Sequence, residues 1–199
     1  MSSCIGDKLS YRSYLLKKKI DKVRYMIICM LGVNHIDWLK KHNIFYAIGE
    51  KCFYQPNKLP NEPKLIKIHN NVKIAANVTF YTHDVINAVF ADMDDAPYQT
   101  HAGCVEIFDN VFVGGGSVIV GPVKIGPNVV VAAGSVVVKD IAEGCIVGGN
   151  PAKVIGQFDV LKEKREIEDK GKTTFDPEEQ NRLSELWCEF VKDEGNNVK

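Results

Sequence analysis

The sequence predicts an all-β solenoid, a parallel β-helix, with helical segments at both ends. From residue 68 onward an aliphatic or aromatic residue recurs every six positions, and a small or β-branched residue follows each by four. The first set is Ile68, Ile74, Phe80, Ile107, Val113, Ile119, Ile125, Val131 and Val137. The second set is Val72, Val78, Val111, Ser117, Val123, Val129, Ser135 and Ile141. A fixed period of six is typical of stacked coils, in which short strands alternate with tight corners.

The corners carry the residues that tight turns need. Glycine, asparagine, proline and alanine gather between the repeats, as in Gly114-Gly115-Gly116, Gly126-Pro127-Asn128 and Ala132-Ala133-Gly134. Glycine and asparagine tolerate the positive φ that such corners require. Three repeats, eighteen residues, then close one triangular coil.

The solenoid is predicted over residues 45–156. Ile48 and Tyr54 mark irregular first repeats, and a proline-rich loop with Pro56, Pro60 and Pro63 precedes the regular ladder. The ladder breaks at Asp84, and the period fails until Cys104. Residues 85–104 show no strong strand or helix pattern, so we expect a long excursion loop, which in a compact fold is either functional or disordered.

Residues 1–44 are predicted to form a helical cap. Apolar residues recur at helical spacing over 12–31, with lysines largely on the other faces, and a second short helix is expected over 35–42. The apolar set is Leu16, Ile20, Val23, Ile27 and Leu31. We expect these helices to cover the open end of the solenoid. A helix lying on a membrane surface is the alternative.

Residues 157–199 are predicted to form a charged segment followed by a helix. Asp176, Pro177 and Glu179 have the spacing of a helix N-cap, a first-turn proline and a capping box. Leu183, either Leu186 or Trp187, and Phe190 would line one face of this helix.

Composition excludes several classes of protein. Lysine plus arginine and aspartate plus glutamate both number 25, so the chain lacks the basic excess typical of nucleic-acid binding. The six cysteines show no CxxC spacing, which argues against a zinc ribbon or a small disulfide framework and favours reduced thiols in the cytoplasm. The apolar run at 25–33 is too short to span a bilayer and lies too far into the chain for a signal peptide, so we expect a soluble protein.

His83 is the leading candidate for catalysis, because it lies at a corner immediately before the excursion. A neutral imidazole is suited to take a proton from a hydroxyl or amine nucleophile. Asp84 could orient the ring or contact the acceptor. A surface or structural role for the histidine remains the alternative.

A metal site is disfavoured by histidine spacing. A zinc hydratase on such a scaffold would need three ligands, with two of them in an HxxxxH pair, and His69, His83 and His101 offer no such pair. His35 and His42 fall in the predicted cap and are expected to be ordinary surface residues.

The segment 130–155 is the most specific in the chain. Ala132, Ala133 and Gly134 leave a corner with little side chain, along which an extended ligand could lie. Lys139 and Lys153 supply cations suited to a phosphate or pyrophosphate. The alternative is that the small residues merely fit the turn and the lysines are solvated.

The repeat ladder, Thr82-His83-Asp84 and the closing Gly149-Asn150-Pro151-Ala152-Lys153 resemble the left-handed β-helix acyltransferases. Within them the chain is similar to the xenobiotic, maltose/galactoside and capsule-type O-acetyltransferases. The resemblance covers about residues 45 to 156, and more loosely the predicted helix at 175–190.

The resemblance implies a left-handed coil and acetyl-CoA as co-substrate; from the histidine spacing we expect no metal cofactor. It implies that His83 is the general base and that Gly115 offers an N–H to the oxyanion. It further implies that Ala133, Gly134 and Ser135 receive the pantetheine arm, with Lys139 and Lys153 near the phosphates of CoA. It also implies a homotrimer with active sites between subunits.

These observations predict an O-acetyltransferase that acts on a hydroxyl of a saccharide or small molecule. The sequence around Tyr54-Gln55-Pro56-Asn57 departs from the acceptor motif of the maltose/galactoside branch, so that sugar contact does not transfer. A non-catalytic β-helix scaffold is the main alternative, and a metal-dependent hydratase resembling carbonic anhydrase is the other. The identity of the acceptor and the length of the acyl chain stay open.

Overall fold

The structure, a computed structural model, describes residues 11–31, residues 35–168 and Trp187. The chain divides into two units, residues 1–161 and 162–199, and the second is described at 162–168 and Trp187. The helices are α1 (Tyr11–Met30), α2 (His35–Lys41), α3 (Ile86–Asp94) and α4 (Phe158–Glu168), with a 3-10 turn at Pro63–Leu65. In the described part of the chain, no helix has the length and apolar character needed to cross a membrane.

In the described residues, thirteen strands of two to five residues each form the solenoid. They are β1 (Ala47–Ile48), β2 (Phe53–Tyr54), β3 (Ile66–Ile68), β4 (Lys73–Ile74), β5 (Thr79–Tyr81), β6 (Val105–Ile107), β7 (Val111–Val113), β8 (Val118–Val120), β9 (Val123–Ile125), β10 (Val129–Val131), β11 (Val136–Val137), β12 (Cys145–Gly148) and β13 (Lys153–Gln157).

The strands stack into three sheets that form the faces of a prism. One face has the order β1-β3-β6-β9, the second β13-β12-β10-β7-β4-β2 and the third β11-β8-β5. All pairs are parallel except β12 with β13. Val105 pairs with Val123 and Val111 with Val129, which confirms eighteen residues per regular coil.

The predicted ladder forms the core of this prism. Every position of both predicted repeat sets is buried, with relative exposures of 8% or less. Ser117 and Ser135 are buried too, and each hydroxyl donates to the carbonyl of Ala132. The interior is therefore filled by the residues that the period of six selects.

One corner carries a ladder of asparagines. Asn71, Asn110 and Asn128 all have positive φ, and the amide of each of the first two is joined to the next by a side-chain hydrogen bond of 2.9 Å. Asn128 then donates to Glu143. Asparagine is favoured here because it accepts the left-handed backbone and satisfies its own side chain on the neighbouring coil.

The excursion leaves the coil without disturbing the register. Val118 pairs with Thr79, an offset of 39 residues where a regular coil has 18, so the excursion adds 21 residues. This segment was expected to be a long loop without a strong helix pattern, and the structure has the helix α3 at Ile86–Asp94 within it. The apolar residues of this helix do follow helical spacing, at Ile86, Val89, Phe90 and Met93. The pattern extends over only about two turns and has aspartates around it, so it is a weak signal in the sequence.

The N-terminal helices lie where they were predicted, but α1 presents the other face to the body. A cap built on its apolar stripe would bury Leu16, Ile20, Val23 and Ile27, and all four are exposed. Among the α1 side chains whose burial is described, residues 13–30, Tyr25 alone is fully buried; it packs on Trp38 and donates to the Pro56 carbonyl at 2.6 Å. One large aromatic residue with a polar end therefore anchors the helix in place of the stripe.

The segment after the solenoid also differs from expectation. It was predicted only as a charged stretch, whereas residues Phe158–Glu168 form α4. Charged residues in this segment are good helix formers, and Lys162 pairs with Glu166 one turn later. The helix predicted from Asp176 to Phe190 lies outside the described residues, except for Trp187.

Candidate active site

His83 lies at the corner where β5 ends and the excursion begins. The returning chain pairs with it through a bridge between His83 and Ala102, and the Gly103 N–H donates to the Thr82 carbonyl. His83 lines a cavity of about 290 Å³, whose wall is formed by both ends of the excursion and the next coil. The lining residues are Tyr81, His83, Asp84, His101, Ala102, Gly103, Val120, Gly121 and Pro122.

The wall of this cavity depends on a close approach of two backbones. A Cβ on Gly103 would lie 2.4 Å from the Pro122 nitrogen, and a Cβ on Gly121 would lie 2.8 Å from the Gly103 carbonyl oxygen. Both distances are shorter than real contacts allow. Glycine at these positions lets the end of the excursion pack directly on the coil above.

Glu62, which sequence reasoning missed, holds the imidazole of His83. The His83 Nδ1 lies 2.7 Å from Glu62 Oε2, and the hydroxyl of buried Thr82 donates to the same oxygen at 2.8 Å. The other oxygen, Oε1, accepts from the ammonium of Lys18 at 3.1 Å. We call Lys18, Glu62, Thr82 and His83 the Glu62 network; it connects α1, the proline-rich loop and the end of β5.

The electrostatics of the network keep Glu62 ionised. Burial acts to raise the pKa of this carboxyl, but hydrogen bonds from Thr82, Lys18 and His83, with the charge of Lys18, together lower the pKa below its ordinary value. An ionised carboxylate can only accept hydrogen bonds, so Nδ1 of His83 carries the proton that faces it. The lone pair of the neutral ring is then on Nε2, where it can take up a proton.

Asp84 has a different role from the one considered from sequence. Its carboxylate accepts a hydrogen bond from the Ile86 N–H at 3.0 Å, which fixes the first turn of α3. In the structure Glu62, and not Asp84, is the carboxylate within hydrogen-bond distance of Nδ1 of His83. Asp84 is exposed and lines the cavity, so contact with an acceptor stays a prediction.

The small-residue corner lies at the opposite edge of the same face. Gly115 and Gly134 stack on consecutive coils, since the Gly134 N–H donates to the Gly115 carbonyl at 2.9 Å. Ala133 and Gly134 are exposed, whereas Ser135 is fully buried and its hydroxyl donates to the Ala132 carbonyl. This corner precedes β8 and β11, whereas His83 follows β5.

The two edges are too far apart for one small site. Ser117 and Gly121 flank β8, four residues apart, and an extended chain covers roughly 13 Å over that length. The structure therefore does not bring Gly115, Ala133 and Gly134 to His83 within one chain.

Lys139 and Lys153 do come together. Both line a cavity of about 510 Å³ at the last coil, with Val138, Pro151 and Val154 among its other walls. Lys139 follows β11 at the same edge at which His83 follows β5. Lys139 therefore lies on the edge that carries His83, whereas Lys153 begins β13 on the second face, where it pairs with Gly148.

The other two histidines of the solenoid have different surroundings. His69 is 2.9 Å from Glu106, which also accepts from Lys67 at 2.9 Å, and its ring stacks on Phe108. His101 lies in the cavity with His83. Among residues 11–31, 35–168 and Trp187, no three His, Cys, Asp or Glu side chains are grouped closely enough to hold a metal ion.

Comparisons with known proteins agree with this architecture. The family profile described as "Bacterial transferase hexapeptide (six repeats)" matches residues 104–139. Protein CapG of Staphylococcus aureus is 43% identical over 120 residues, which are 59% of this chain and 69% of CapG.

Solved structures show the same fold. A maltose O-acetyltransferase from Clostridium difficile 630 is 27% identical, with a TM-score of 0.52 over 72% of this chain and 88% of that one. A hexapeptide-repeat acetyltransferase from Vibrio cholerae O1 biovar eltor, solved with acetyl coenzyme A, is 24% identical, with a TM-score of 0.52 over 76% and 92%. The likeness confirms the left-handed β-helix with flanking helices. The chain belongs to the hexapeptide-repeat acyltransferase family of enzymes.

Proposed function

We propose that this chain is an acetyl-CoA-dependent O-acetyltransferase that acts on a hydroxyl group of a saccharide or small molecule. The observation that carries the proposal is the His83–Glu62 pair of 2.7 Å at the wall of a cavity. A histidine oriented by an ionised carboxylate, with Nε2 left for the substrate, is the arrangement that general-base catalysis needs. The acetyltransferases among the similar structures support the choice of acyl group.

Transfer would be direct, in one addition and one elimination. Nε2 of His83 takes the proton from the acceptor hydroxyl as its oxygen attacks the thioester carbonyl. The tetrahedral oxyanion then expels the thiolate of CoA, the C–S bond breaks, and the imidazolium returns the proton to sulfur. Glu62 stabilises the imidazolium between the two steps, and a backbone N–H at Gly115 is our candidate donor to the oxyanion.

Acetyl-CoA is placed along the edges of the coil in this proposal. Lys139 and Lys153 share a cavity large enough for a phosphate-bearing group, which supports contact with the CoA phosphates. The exposed backbone at Ala133 and Gly134 is our candidate for the pantetheine arm. Asp84, His101 and Tyr81 are left on the acceptor side of His83.

The distance between the two edges supports a site shared between copies. His83 of one subunit would face the Gly115, Ala133 and Gly134 corner of the next, in a homotrimer. A cytoplasmic location is part of the proposal, because all four cysteines in the described residues are free thiols, as expected in a reducing compartment.

The test is an acceptor screen with acetyl-CoA that follows release of the CoA thiol, run on the wild type, His83→Ala and His69→Ala. We expect His83→Ala to lose about 10²- to 10⁴-fold in kcat, the usual contribution of a general base, while His69→Ala keeps its rate. Calorimetric titration with acetyl-CoA should show the same affinity for all three. Unchanged turnover in His83→Ala would remove the assignment, and the absence of acetyl-CoA binding would favour a non-catalytic scaffold.

A further inference from the structure

The outward face of α1 carries an apolar stripe that the core does not explain. Leu16, Ile20, Val23 and Ile27 follow each other at spacings of four, three and four, which places them on one side of the helix. Their exposed fractions are 60, 40, 53 and 46%. Met30 at the end of the helix continues the exposed apolar surface.

The helix cannot turn this stripe inward, because its opposite side is fixed. Tyr25 is buried, with its hydroxyl bonded to the Pro56 carbonyl at 2.6 Å. Lys18 is paired with Glu62 at 3.1 Å and Lys22 donates to Asn61 at 2.9 Å. The stripe therefore faces away from the solenoid.

Basic residues border the stripe on both sides. Lys19 stands three positions after Leu16 and four before Val23, on one border. Arg24 stands four positions after Ile20 and three before Ile27, on the other border, and Lys17 lies about two turns before it on the same border. All three basic side chains are exposed.

Over residues 13–30, the outward face of α1 has no acidic residue to offset these cations. Asp21 is the sole acidic residue of the α1 sequence, against six lysines and arginines. Its side chain lines the cleft between α1 and the loop at Leu59–Pro63, on the body side of the helix. In a chain of zero net charge, the outer face of α1 is thus locally apolar and cationic.

We propose that α1 docks the protein on an anionic lipid bilayer, with the stripe of Leu16, Ile20, Val23 and Ile27 in the interface. An apolar strip bordered by cations is the arrangement that interfacial helices use, because the apolar side chains enter the acyl boundary while the cations stay among the headgroups. A second copy is the weaker occupant, since two such faces in contact would bring Lys17, Lys19 and Arg24 against their own equivalents. The helix lies on the surface and does not cross it.

The experiment is vesicle flotation of the full chain, with vesicles of phosphatidylcholine alone or mixed with phosphatidylglycerol. We expect binding to the mixed vesicles only, weakened by salt. Ile20→Ser with Val23→Ser should abolish it, and Lys19→Gln with Arg24→Gln should weaken it about 25-fold, roughly fivefold per cation. The matched control is Val89→Ser with Met93→Ser on α3, which removes exposed apolar side chains without bordering cations and should bind like the wild type.

Mass in solution, measured by light scattering for every variant, separates the two occupants. Vesicle binding lost at unchanged mass supports the proposal. It is overturned if the wild type ignores the mixed vesicles, if it binds both compositions equally, if the α3 control loses binding as well, or if the stripe variant changes mass, which would assign the stripe to a neighbouring subunit. No step uses acetyl-CoA, so the result is independent of the proposed acetyl transfer.

Discussion

Replacing Glu62 with glutamine isolates the charge that orients His83. Glutamine keeps the shape of the side chain and an acceptor oxygen for Nδ1, but it removes the negative charge 2.7 Å from the ring. That charge matters most when the ring becomes an imidazolium, after it takes the proton of the acceptor. The variant should therefore lower kcat more than it affects the binding of acetyl-CoA.

Two estimates give the expected fall in kcat for Glu62→Gln. Unit charges 2.7 Å apart interact by about 1.5 kcal/mol in water and about 6 kcal/mol at an effective dielectric constant of 20. The side chains of His83 and Glu62 are 31 and 26% exposed, and glutamine retains a hydrogen bond, so the lower part of that range applies. Hydrogen bonds to charged groups contribute about 1.5 to 3 kcal/mol. We therefore expect kcat to fall about 10- to 150-fold.

The assay is the initial rate of CoA thiol release at saturating acetyl-CoA, with the acceptor found in the screen. Glu106→Gln is the matched control, because Glu106 also joins a histidine, His69, and a lysine, Lys67, each at 2.9 Å, and lies outside the His83 cavity. Its kcat should stay within about twofold of the wild type. The role given to Glu62 is refuted if its variant keeps more than half of the wild-type kcat, or if Glu106→Gln loses as much.

Three further predictions follow from the same contacts. Because folding lowers the pKa of Glu62, its ionised carboxylate stabilises the folded state above the ordinary pKa of 4.5. This contribution is lost as the pH falls toward the lowered pKa. The free energy of unfolding, measured by denaturation curves between pH 6 and 3, should therefore depend less on pH in Glu62→Gln than in the wild type. His83→Ala and Ala133→Arg should each be inactive alone. If each site takes its histidine and its small-residue corner from different subunits, co-expression of the two variants should recover about one quarter of the wild-type activity. If one chain holds both parts of a site, co-expression should recover none. Asn110→Gly loses the two ladder hydrogen bonds and should cost about 1 to 2 kcal/mol of unfolding free energy, whereas Asn110→Ala also places a Cβ at φ 59 and should cost about 1 kcal/mol more in urea melts.

The period of six predicted the core because burial in this fold is periodic by construction. Each coil places the same two positions of every repeat inside the prism, so Ile107 and Val111 are buried for the same geometric reason as Ile125 and Val129. The buried set was predicted from the spacing of residues in the sequence alone, and in this fold that spacing also sets the register between strands of neighbouring coils.

Helical periodicity carried less information. It located α1 and its apolar side, but a period states only that one side is apolar and leaves open what that side contacts. Tyr25 decided the packing, through a buried ring and one hydrogen bond to Pro56, and a single residue leaves no periodic signal.

Glu62 could have been found from the sequence by extending the coil arithmetic to the irregular first coil. Ile48 pairs with Ile68 and Tyr54 with Ile74, each twenty residues on, and both pairs of apolar residues are visible in the sequence. The same offset places Glu62 one coil below Thr82, the residue to which its carboxylate is bonded. The proline-rich loop obscures this position in the sequence, because prolines mark an interruption of regular structure and Glu62 lies between two of them.

Unlike the position of Glu62, the separation between His83 and the Ala133–Gly134 corner could not be predicted from the residues of either motif. Both motifs flank the third face of the prism, and the strands of that face, two or three residues long, hold them at opposite edges on every coil. The two edges can approach one another only when a second prism packs beside the first, so that the His83 edge of one subunit meets the Ala133–Gly134 edge of the next. A heterologous contact of this kind, repeated around an axis, closes into a ring, and three triangular prisms arranged in this way would bury three equivalent clefts. A chain with intact His83 and intact Ala133 that is held monomeric should therefore bind acetyl-CoA weakly and transfer nothing, and appreciable turnover by such a monomer would refute a shared site.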